Sequence, residues 1–353
     1  MTTIVPHSAL FDGAVSFSRE ADGGMRPWRL PVEDASLFPS PDDGLFGRAG
    51  CPAGVRLRFA TDSPSVRIGL RPVRPQEVTD SDHFVVDLTS GGQLVDSQRV
   101  LGSEYVADLA RVTPASITEA GMGVYEVWLS QYHPTVVEAI QIEDGARFAV
   151  PVDNQPRWVA YGSSITMCRQ AHSPARTWPA TVARALDLNL TSLGFGGQCH
   201  LDPMVGRVIR DLPADVMTLK LGINVYGGAT LGARTYPAGV IGLIATIRDG
   251  HPRTPIGVIT SIASPPRERI ANAVGCTLED YRAMTRDAVT RLQAAGDRHL
   301  HLFEGTDLFA AADAHLLPDD LHPDGDGYEL LGQRAAKLVL PRLLADRADP
   351  TTT

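Results

Sequence analysis

A serine and a histidine near opposite ends of the second half of the chain have the chemistry needed for nucleophilic catalysis. Ser164 stands in the segment Gly-Ser-Ser-Ile-Thr (162–166), at the end of the apolar run WVAYG. A serine on a sharp turn between a strand and a helix exposes its hydroxyl. His322 follows Asp319 by three residues in a polar loop. A histidine can accept the serine proton while a carboxylate on its other nitrogen fixes the tautomer. Taken singly, each segment is also consistent with an ordinary turn or a solvated loop.

Two further residues could stabilise negative charge that develops during such a reaction. Gly197 follows the run LNLTSLG, within the sequence Phe-Gly-Gly-Gln, and a glycine there lets a backbone N–H approach a ligand closely. Asn224 follows the run VMTLKL in Gly-Ile-Asn, and its side-chain amide is a neutral donor suited to an oxyanion. Either residue alone could simply belong to a tight turn. A phosphate-binding loop is disfavoured, because neither of the usual Gly-rich phosphate motifs is present.

The elements that would position these residues are short apolar runs alternating with helical segments. A helix is predicted to begin at 235–237, and Thr277 with Asp280 has the pattern of a capping box before another helix. Five β–α units predict a mainly parallel, doubly wound sheet, in which ligands bind beyond the carboxyl ends of the strands. The predicted strands are WVAYG, LNLTSLG, VMTLKLG, IGVITSI and LHLFE.

The first 150 residues have a different pattern, typical of antiparallel strands. Val55, Leu57 and Phe59 alternate with arginines, and the runs at 66–71, 124–131 and 136–144 follow the same period of two. The run FVVDLTSGGQLVDSQ is centred on a Gly-Gly pair at 91–92, which predicts a tight hairpin. With no long amphipathic helix in this half, a β-sandwich is predicted.

The combination of these segments, in this order, resembles the SGNH (GDSL-type) hydrolase family over about residues 157–342. The resemblance implies a flavodoxin-like three-layer α/β/α domain with the α/β fold class, preceded by an all-β, jelly-roll-like sandwich. We place the two domains at 1–152 and 153–345. The positions that match the family motifs are Ser164 (nucleophile), Gly197 and Asn224 (oxyanion residues, with the Ser164 amide), and Asp319 with His322 (the acid–base pair).

The sequence departs from the family pattern at two positions. The residue before the nucleophile, usually Asp, is Ser163, and Asn224 is followed by Val225 rather than Asp. Asp320 is a second carboxylate close to His322, although the spacing favours Asp319. We expect the Cys199-His200 pair (199–200) to form part of a pocket wall rather than a metal ligand set or a thiol nucleophile.

Composition limits the classes of partner. The chain has 353 residues, with 32 Lys and Arg against 41 Asp and Glu, so its formal net charge is −9. That balance argues against nucleic acid or an anionic membrane as a partner. No metal-binding motif and no cofactor motif is present, and we predict neither a metal nor a cofactor. The four cysteines are widely spaced and are expected to be free thiols, and with no secretory signal visible we expect a cytoplasmic protein.

Three functions remain open at the level of the sequence. The first is an esterase that forms an acyl-enzyme on a small-molecule or glycan ester, with water as the acceptor. The second is an acyltransferase, in which a sugar or polyketide hydroxyl takes the acyl group from a thioester donor. The third is a binding module that has lost the chemistry. The N-terminal sandwich, which resembles a carbohydrate-binding module, is expected to form one wall of the pocket.

Overall fold

The structure, a computed structural model, describes residues 1–73, 84–100 and 102–348 of the chain. Its first part consists of antiparallel strands with a short α-helix, α1 (Gly44–Ala49), and several 3₁₀ turns. The strands are β1 (Thr2–Ile4), β2 (Phe11–Asp12), β3 (Ser16–Arg19), β4 (Met25–Trp28), β5 (Arg56–Thr61), β6 (Ser65–Pro72), β7 (Val85–Ser90), β8 (Gln93–Arg99), β9 (Glu104–Asp108), β10 (Gly123–Trp128), β11 (Thr135–Ile142) and β12 (Phe148–Ala149).

These strands form two sheets that pack face to face. One has the order β3-β4-β11-β6-β9 with β1 paired to β11, and the other has the order β12-β5-β10-β7-β8 with β2 paired to β5. Leu57 and Phe59 of the second sheet share one buried core with Ile68 and Leu70 of the first. The alternating residues therefore close a sandwich, which confirms the prediction for this half.

The predicted hairpin is also present. β7 and β8 pair in antiparallel register from Val85↔Arg99 to Ser90↔Gln93. Gly91 and Gly92 connect them with φ angles of 53° and 76°. Two consecutive positive φ angles are what a two-residue hairpin turn requires, and glycine adopts them without a steric penalty.

The second part alternates strands and helices, as the sequence predicts. Its five described strands are all parallel and have the order β14-β13-β15-β16-β17. In chain order within the domain this is 2-1-3-4-5, the flavodoxin-like arrangement. The strands are β13 (Arg157–Gly162), β14 (Asn189–Gly194), β15 (Val216–Lys220), β16 (Ile256–Ile259) and β17 (Leu300–Phe303).

Helices pack on the sheet in two groups, which gives the three-layer fold. Their bounds are α2 (Ser164–Met167), α3 (Trp178–Leu186), α4 (Pro203–Asp211), α5 (Ile223–Gly228), α6 (Tyr236–Gly250), α7 (Leu278–Ala294), α8 (Gly305–Leu308), α9 (Gly325–Leu338) and α10 (Leu340–Ala348). One group contains α3 and α9, and the other contains α4, α6 and α7. The predicted capping box is formed: Thr277 Oγ1 accepts from the Asp280 amide, and the Asp280 carboxylate accepts from the Thr277 amide. The predicted limit between residues 152 and 153 lies between β12 and β13.

Two buried arginines connect the sandwich to the parallel sheet. The amides of Asn189 and Phe195 donate to carbonyls on the β13 side of β14. Because alternate residues of a strand direct their backbone groups to opposite sides, the carbonyls of residues 190, 192 and 194 point away from β13. Arg56 donates to the Leu190 carbonyl at 3.0 Å, and Arg29 donates to the Ser192 and Gly194 carbonyls at 3.1 and 2.6 Å. Complete burial lowers the pKa of Arg29 to about 10.

The burial of Arg56 differs from what its strand pattern indicates. Alternation with Leu57 and Phe59 predicts a charged face of β5 in solvent, yet Arg56 is 1% exposed. The second domain covers that face, and the Arg56 guanidinium bonds both to β14 and to Glu126. Alternation therefore identifies the strand correctly but cannot show that another domain covers its polar face.

Two general expectations can be compared with the structure. All four cysteines lie within the described ranges and are free and buried, as the sequence predicts; they are Cys51, Cys168, Cys199 and Cys276. In the part of the chain that the structure describes, no helix is both long enough and apolar enough to cross a bilayer.

Candidate active site

Ser164 lies at the carboxyl end of β13, the second strand from one edge of the parallel sheet, on the tight connection between β13 and α2. The strand ends at Gly162 and the helix begins at Ser164. Ser163, in an extended conformation, caps the helix because its Oγ accepts from the Ile165 amide at 3.2 Å. The serine that stands where the family usually has Asp therefore holds the turn, and Ser164 is left half-buried at its outer surface.

A continuous line of hydrogen bonds joins Ser164, His322 and Asp319. Ser164 Oγ lies 2.8 Å from His322 Nε2, and His322 Nδ1 lies 2.6 Å from Asp319 Oδ2. Because a carboxylate only accepts, Nδ1 carries the ring proton of the neutral histidine, and Nε2 is free to accept from the serine hydroxyl. In this arrangement a serine hydroxyl, a histidine and a carboxylate follow one another in the order that acyl transfer by a serine nucleophile requires.

The Asp-x-x-His segment orients its own carboxylate. Asp319 Oδ1 accepts from the backbone amides of Leu321 and His322, at 3.0 and 2.6 Å, while Oδ2 faces the ring. Partial burial opposes ionisation of Asp319, but the hydrogen bonds from His322 and Leu321 outweigh it, so its pKa lies below the usual value. Asp320 does not make this contact. It has a φ of 60°, and its carbonyl accepts from Ser264 and Arg267.

Asn224 and Gly197 are held in place from behind by the Cys199-His200 pair. The Cys199 amide donates to Asn224 Oδ1 at 3.0 Å, so the other arm of the amide, the Nδ2 donor, is the one left for a ligand. His200 Nε2 lies 3.0 Å from the Gly197 carbonyl, which fixes the peptide of a residue whose φ is +73°. We expected the pair in the pocket wall, but it lies behind the wall and positions it.

The backbone amides of Ser164 and Gly197 are available as donors. Within the described ranges, neither amide is paired with an acceptor. Together with Asn224 Nδ2 they form a set of neutral N–H groups near one end of the sheet. Such groups can stabilise an oxyanion with little reorganisation when the charge develops.

One cavity of about 460 Å³ contains all five residues that the sequence singles out. The sequence did not identify several other lining residues. Arg48 and Tyr132 come from the first half of the chain, where no motif marks them, and Arg169 lies only five residues beyond Ser164. The cavity is lined by Arg48, Tyr132, Ser164, Arg169, Gln170, Gly196, Gly197, Asn224, Asp319, Leu321, His322 and Tyr328.

A thiol nucleophile does not fit this site. Cys199 is 1% exposed, and burial raises its pKa to about 12. Cys168, at the end of α2, is completely buried, and its pKa is raised for the same reason. Because the thiolate is the reactive form, neither residue competes with Ser164 for a substrate in the cavity.

Comparison with known families identifies both halves of the chain. Residues 155–338 match the GDSL-like lipase/acylhydrolase family, and residues 9–138 match the N-terminal domain of SsfX3. The chain belongs to the GDSL-like lipase/acylhydrolase family. The resemblance that rests on the four motif segments is therefore confirmed, as is the presence of a β-rich domain before the SGNH domain.

Several solved structures are similar to this chain over most of its length. The chain is 30% identical to the salicylyl-acyltransferase SsfX3 from a tetracycline biosynthetic pathway, with a TM-score of 0.84, and the match covers 96% of this chain and 98% of that one. A family two carbohydrate esterase from Cellvibrio japonicus, 12% identical, matches with a TM-score of 0.61 over 98% of both chains. One from Clostridium thermocellum, solved with cellohexaose, is 14% identical, has a TM-score of 0.59 and matches over 82% and 92%. At these identities the two esterases show the fold alone. No curated protein matches the chain.

Proposed function

We propose that this GDSL-family protein is a serine-dependent acyl ester hydrolase that works through an acyl-enzyme. The observation that supports this most directly is the hydrogen-bonded line Ser164–His322–Asp319, which opens into a cavity. We assign Ser164 as the nucleophile, His322 as the general base and Asp319 as the residue that orients the imidazole and stabilises the imidazolium.

The reaction follows from these positions. His322 Nε2 takes the proton of Ser164 Oγ as that oxygen attacks the acyl carbonyl, and a tetrahedral oxyanion forms. The amides of Ser164 and Gly197 and the Asn224 Nδ2 group donate hydrogen bonds to that oxyanion. The leaving group then departs with the proton from His322, and water, deprotonated by the same ring, releases the acid.

A second candidate is transfer of the acyl group to a hydroxyl acceptor other than water. The observation that favours it is the similarity to SsfX3, which extends over nearly the whole chain and includes the N-terminal domain. The two candidates share every step up to the acyl-enzyme and differ only in the acceptor. In both, we propose that the sandwich (1–152) is one wall of the substrate pocket of the catalytic domain (153–345), as the lining residues Arg48 and Tyr132 suggest.

The first experiment measures the intact mass of the protein after treatment with a fluorophosphonate. Wild type should gain a single adduct, and Ser164→Ala should gain none. Ser103→Ala removes the hydroxyl of an exposed serine that does not line the cavity, so it should still form the adduct and serves as the matched control. A folded wild type that forms no adduct would refute the serine mechanism and favour a binding module.

The acceptor is determined by product analysis with 4-nitrophenyl acetate in the presence of increasing glycerol or methyl glucoside. A hydrolase releases acetate in step with 4-nitrophenol at every acceptor concentration. A transferase instead accumulates the acetylated alcohol, and the yield of acetate falls. Mass spectrometry of the products distinguishes the two, and Ser164→Ala corrects for the uncatalysed reaction.

A further inference from the structure

Two arginines face the substrate cavity without a carboxylate partner. Arg48, in the last turn of α1, and Arg169, just beyond α2, both line the cavity and are half-buried. Within the described ranges, neither side chain forms an ion pair. Other half-buried and buried arginines of the chain do have partners, as in the pair between Arg282 and Glu268.

The Arg169 guanidinium is held in a fixed orientation with unused donors. Its central carbon lies 3.9 Å from the centroid of the Tyr132 ring, and its Nε is buried with no hydrogen-bond partner among the described residues. Stacking on an aromatic face leaves the in-plane N–H groups of a guanidinium free to bind an anion. The guanidinium as a whole lines the cavity, so an anionic ligand there could accept from its terminal N–H groups in charge-assisted hydrogen bonds.

Arg48 reaches the same part of the cavity from the sandwich. Its Nε lies 3.6 Å from the position that a Cβ on Gly196 would occupy, and Gly196 precedes Gly197. The Arg48 side chain therefore lies beside the peptide that we assign to the oxyanion site. Among the lining residues Asp319 is the one carboxylate, and it is already paired with His322.

A purely structural role does not explain these two residues. The arginines that hold the two domains together, Arg29 and Arg56, are almost completely buried and direct their donors at backbone carbonyls. Arg48 and Arg169 have no such acceptors in the described part of the chain. The cavity is also cationic in a chain whose formal net charge is −9, so general surface charge does not account for it.

We infer that Arg48 and Arg169 form an anion-binding subsite and that the acyl substrate carries a carboxylate or phosphate group. This inference rests on the proposed function, because it places the anion on a substrate of Ser164. The same chemistry has two sources: a carboxylate at the far end of the acyl chain, or the phosphates of a carrier thioester. Planar guanidinium groups bind either anion through paired hydrogen bonds.

The test compares kcat/KM within two pairs of substrates that differ in charge. The first pair is 4-nitrophenyl hexanoate and mono-4-nitrophenyl adipate, which place the charge on the acyl side. The second is S-acetyl-N-acetylcysteamine and acetyl-coenzyme A, which place it on the leaving-group side. We expect the anionic member of one pair to be preferred about tenfold or more, mainly through a lower KM. The pair that shows the preference identifies the source of the anion.

Arg48→Met and Arg169→Met remove the charge and keep an apolar stem of similar length. Each should reduce the preference for the anionic substrate about tenfold, and Arg48→Lys should retain part of it. Arg111→Met is the matched control, since Arg111 is 88% exposed, does not line the cavity and should leave the preference as in wild type. In wild type, raising the salt from about 20 to about 500 mM should also weaken the preference by screening, a readout that needs no variant.

The outcomes separate this inference from the proposed function. A wild type that reacts with the fluorophosphonate but shows no charge preference in either pair overturns the anion subsite and leaves the serine mechanism intact. A preference that is insensitive both to salt and to the two Arg→Met substitutions overturns it as well. A wild type without an adduct at Ser164 overturns both.

Discussion

Replacing Asn224 should affect two properties by separate routes, because its amide has two different contacts. Oδ1 accepts from the backbone amide of Cys199 at 3.0 Å, and Cys199 is only 1% exposed. Nδ2 is left to donate into the cavity. Asn224→Ala removes both arms. Loss of one oxyanion donor costs about 10²–10³ in kcat, or about 2.7–4 kcal/mol of transition-state stabilisation. A buried amide that loses its acceptor costs about 1–3 kcal/mol of folding free energy.

Asn224→Asp separates the two contributions. The carboxylate keeps an acceptor for the Cys199 amide, so the free energy of unfolding at neutral pH should stay close to that of wild type. The donor, however, is replaced by a negative oxygen at the place where the oxyanion forms. We therefore expect kcat to fall at least as far as in Asn224→Ala.

The assays are the steady-state hydrolysis of 4-nitrophenyl acetate and urea unfolding, both on the full chain. If kcat of Asn224→Ala stays within about threefold of wild type, Asn224 does not stabilise the oxyanion. If Asn224→Asp loses as much stability as Asn224→Ala, the Cys199 contact does not explain the position of the amide.

Four further predictions address the Ser164–His322–Asp319 line, the domain contact and the thiols. Asp319→Asn should lower kcat by about 10⁴ while the protein stays folded, because the ring proton of His322 loses its acceptor. Folding lowers the pKa of Asp319, so its ionised form stabilises the protein fully above the unfolded pKa of about 3.9. This contribution is lost as the pH falls through the lower pKa of the folded state. The free energies of unfolding of wild type and Asp319→Asn, measured in urea, should therefore converge as the pH drops below about 4. Arg29→Met should lower the free energy of unfolding by about 3 kcal/mol or more, because the buried Ser192 and Gly194 carbonyls lose their donor. Arg111→Met replaces an exposed arginine and is the control. If the two variants are equally stable, the proposed contribution of Arg29 is wrong. Iodoacetamide at about pH 8 should leave the native protein unmodified and should add four groups in urea, as measured by intact mass. Rapid labelling of Cys199 in the native protein would contradict the burial that raises its pKa to about 12.

The residues of the catalytic half could be predicted because their positions follow from topology. The carboxyl ends of parallel strands meet at one edge of the sheet, so segments that follow β13, β14 and β15 must lie near each other. Ser164, Gly197 and Asn224 each belong to such a segment. The pairing of His322 with Asp319 is local, since the two residues are only three apart in the chain.

The contribution of the first half could not be predicted in this way. Arg48 and Tyr132 reach the cavity only because the sandwich docks on the catalytic domain, and no period or motif in either half encodes that docking. Arg56 shows the same limit, because its alternation pattern indicates a solvent-facing side chain that the second domain in fact covers. Contacts between domains depend on complementary surfaces, which a single strand pattern does not describe.

The bonds from Arg29 and Arg56 to β14 also bear on how the protein can be divided. β14 is the outermost strand of the parallel sheet, and its outward carbonyls at 190, 192 and 194 accept hydrogen bonds from these side chains of the sandwich. A chain cut at the domain boundary would expose a bare strand edge, which is a template for pairing with another copy and hence for aggregation. We therefore expect the second half to be expressed in a well-behaved form only together with its sandwich. Substitutions at the contact in one half should limit the substitutions that the other half tolerates there.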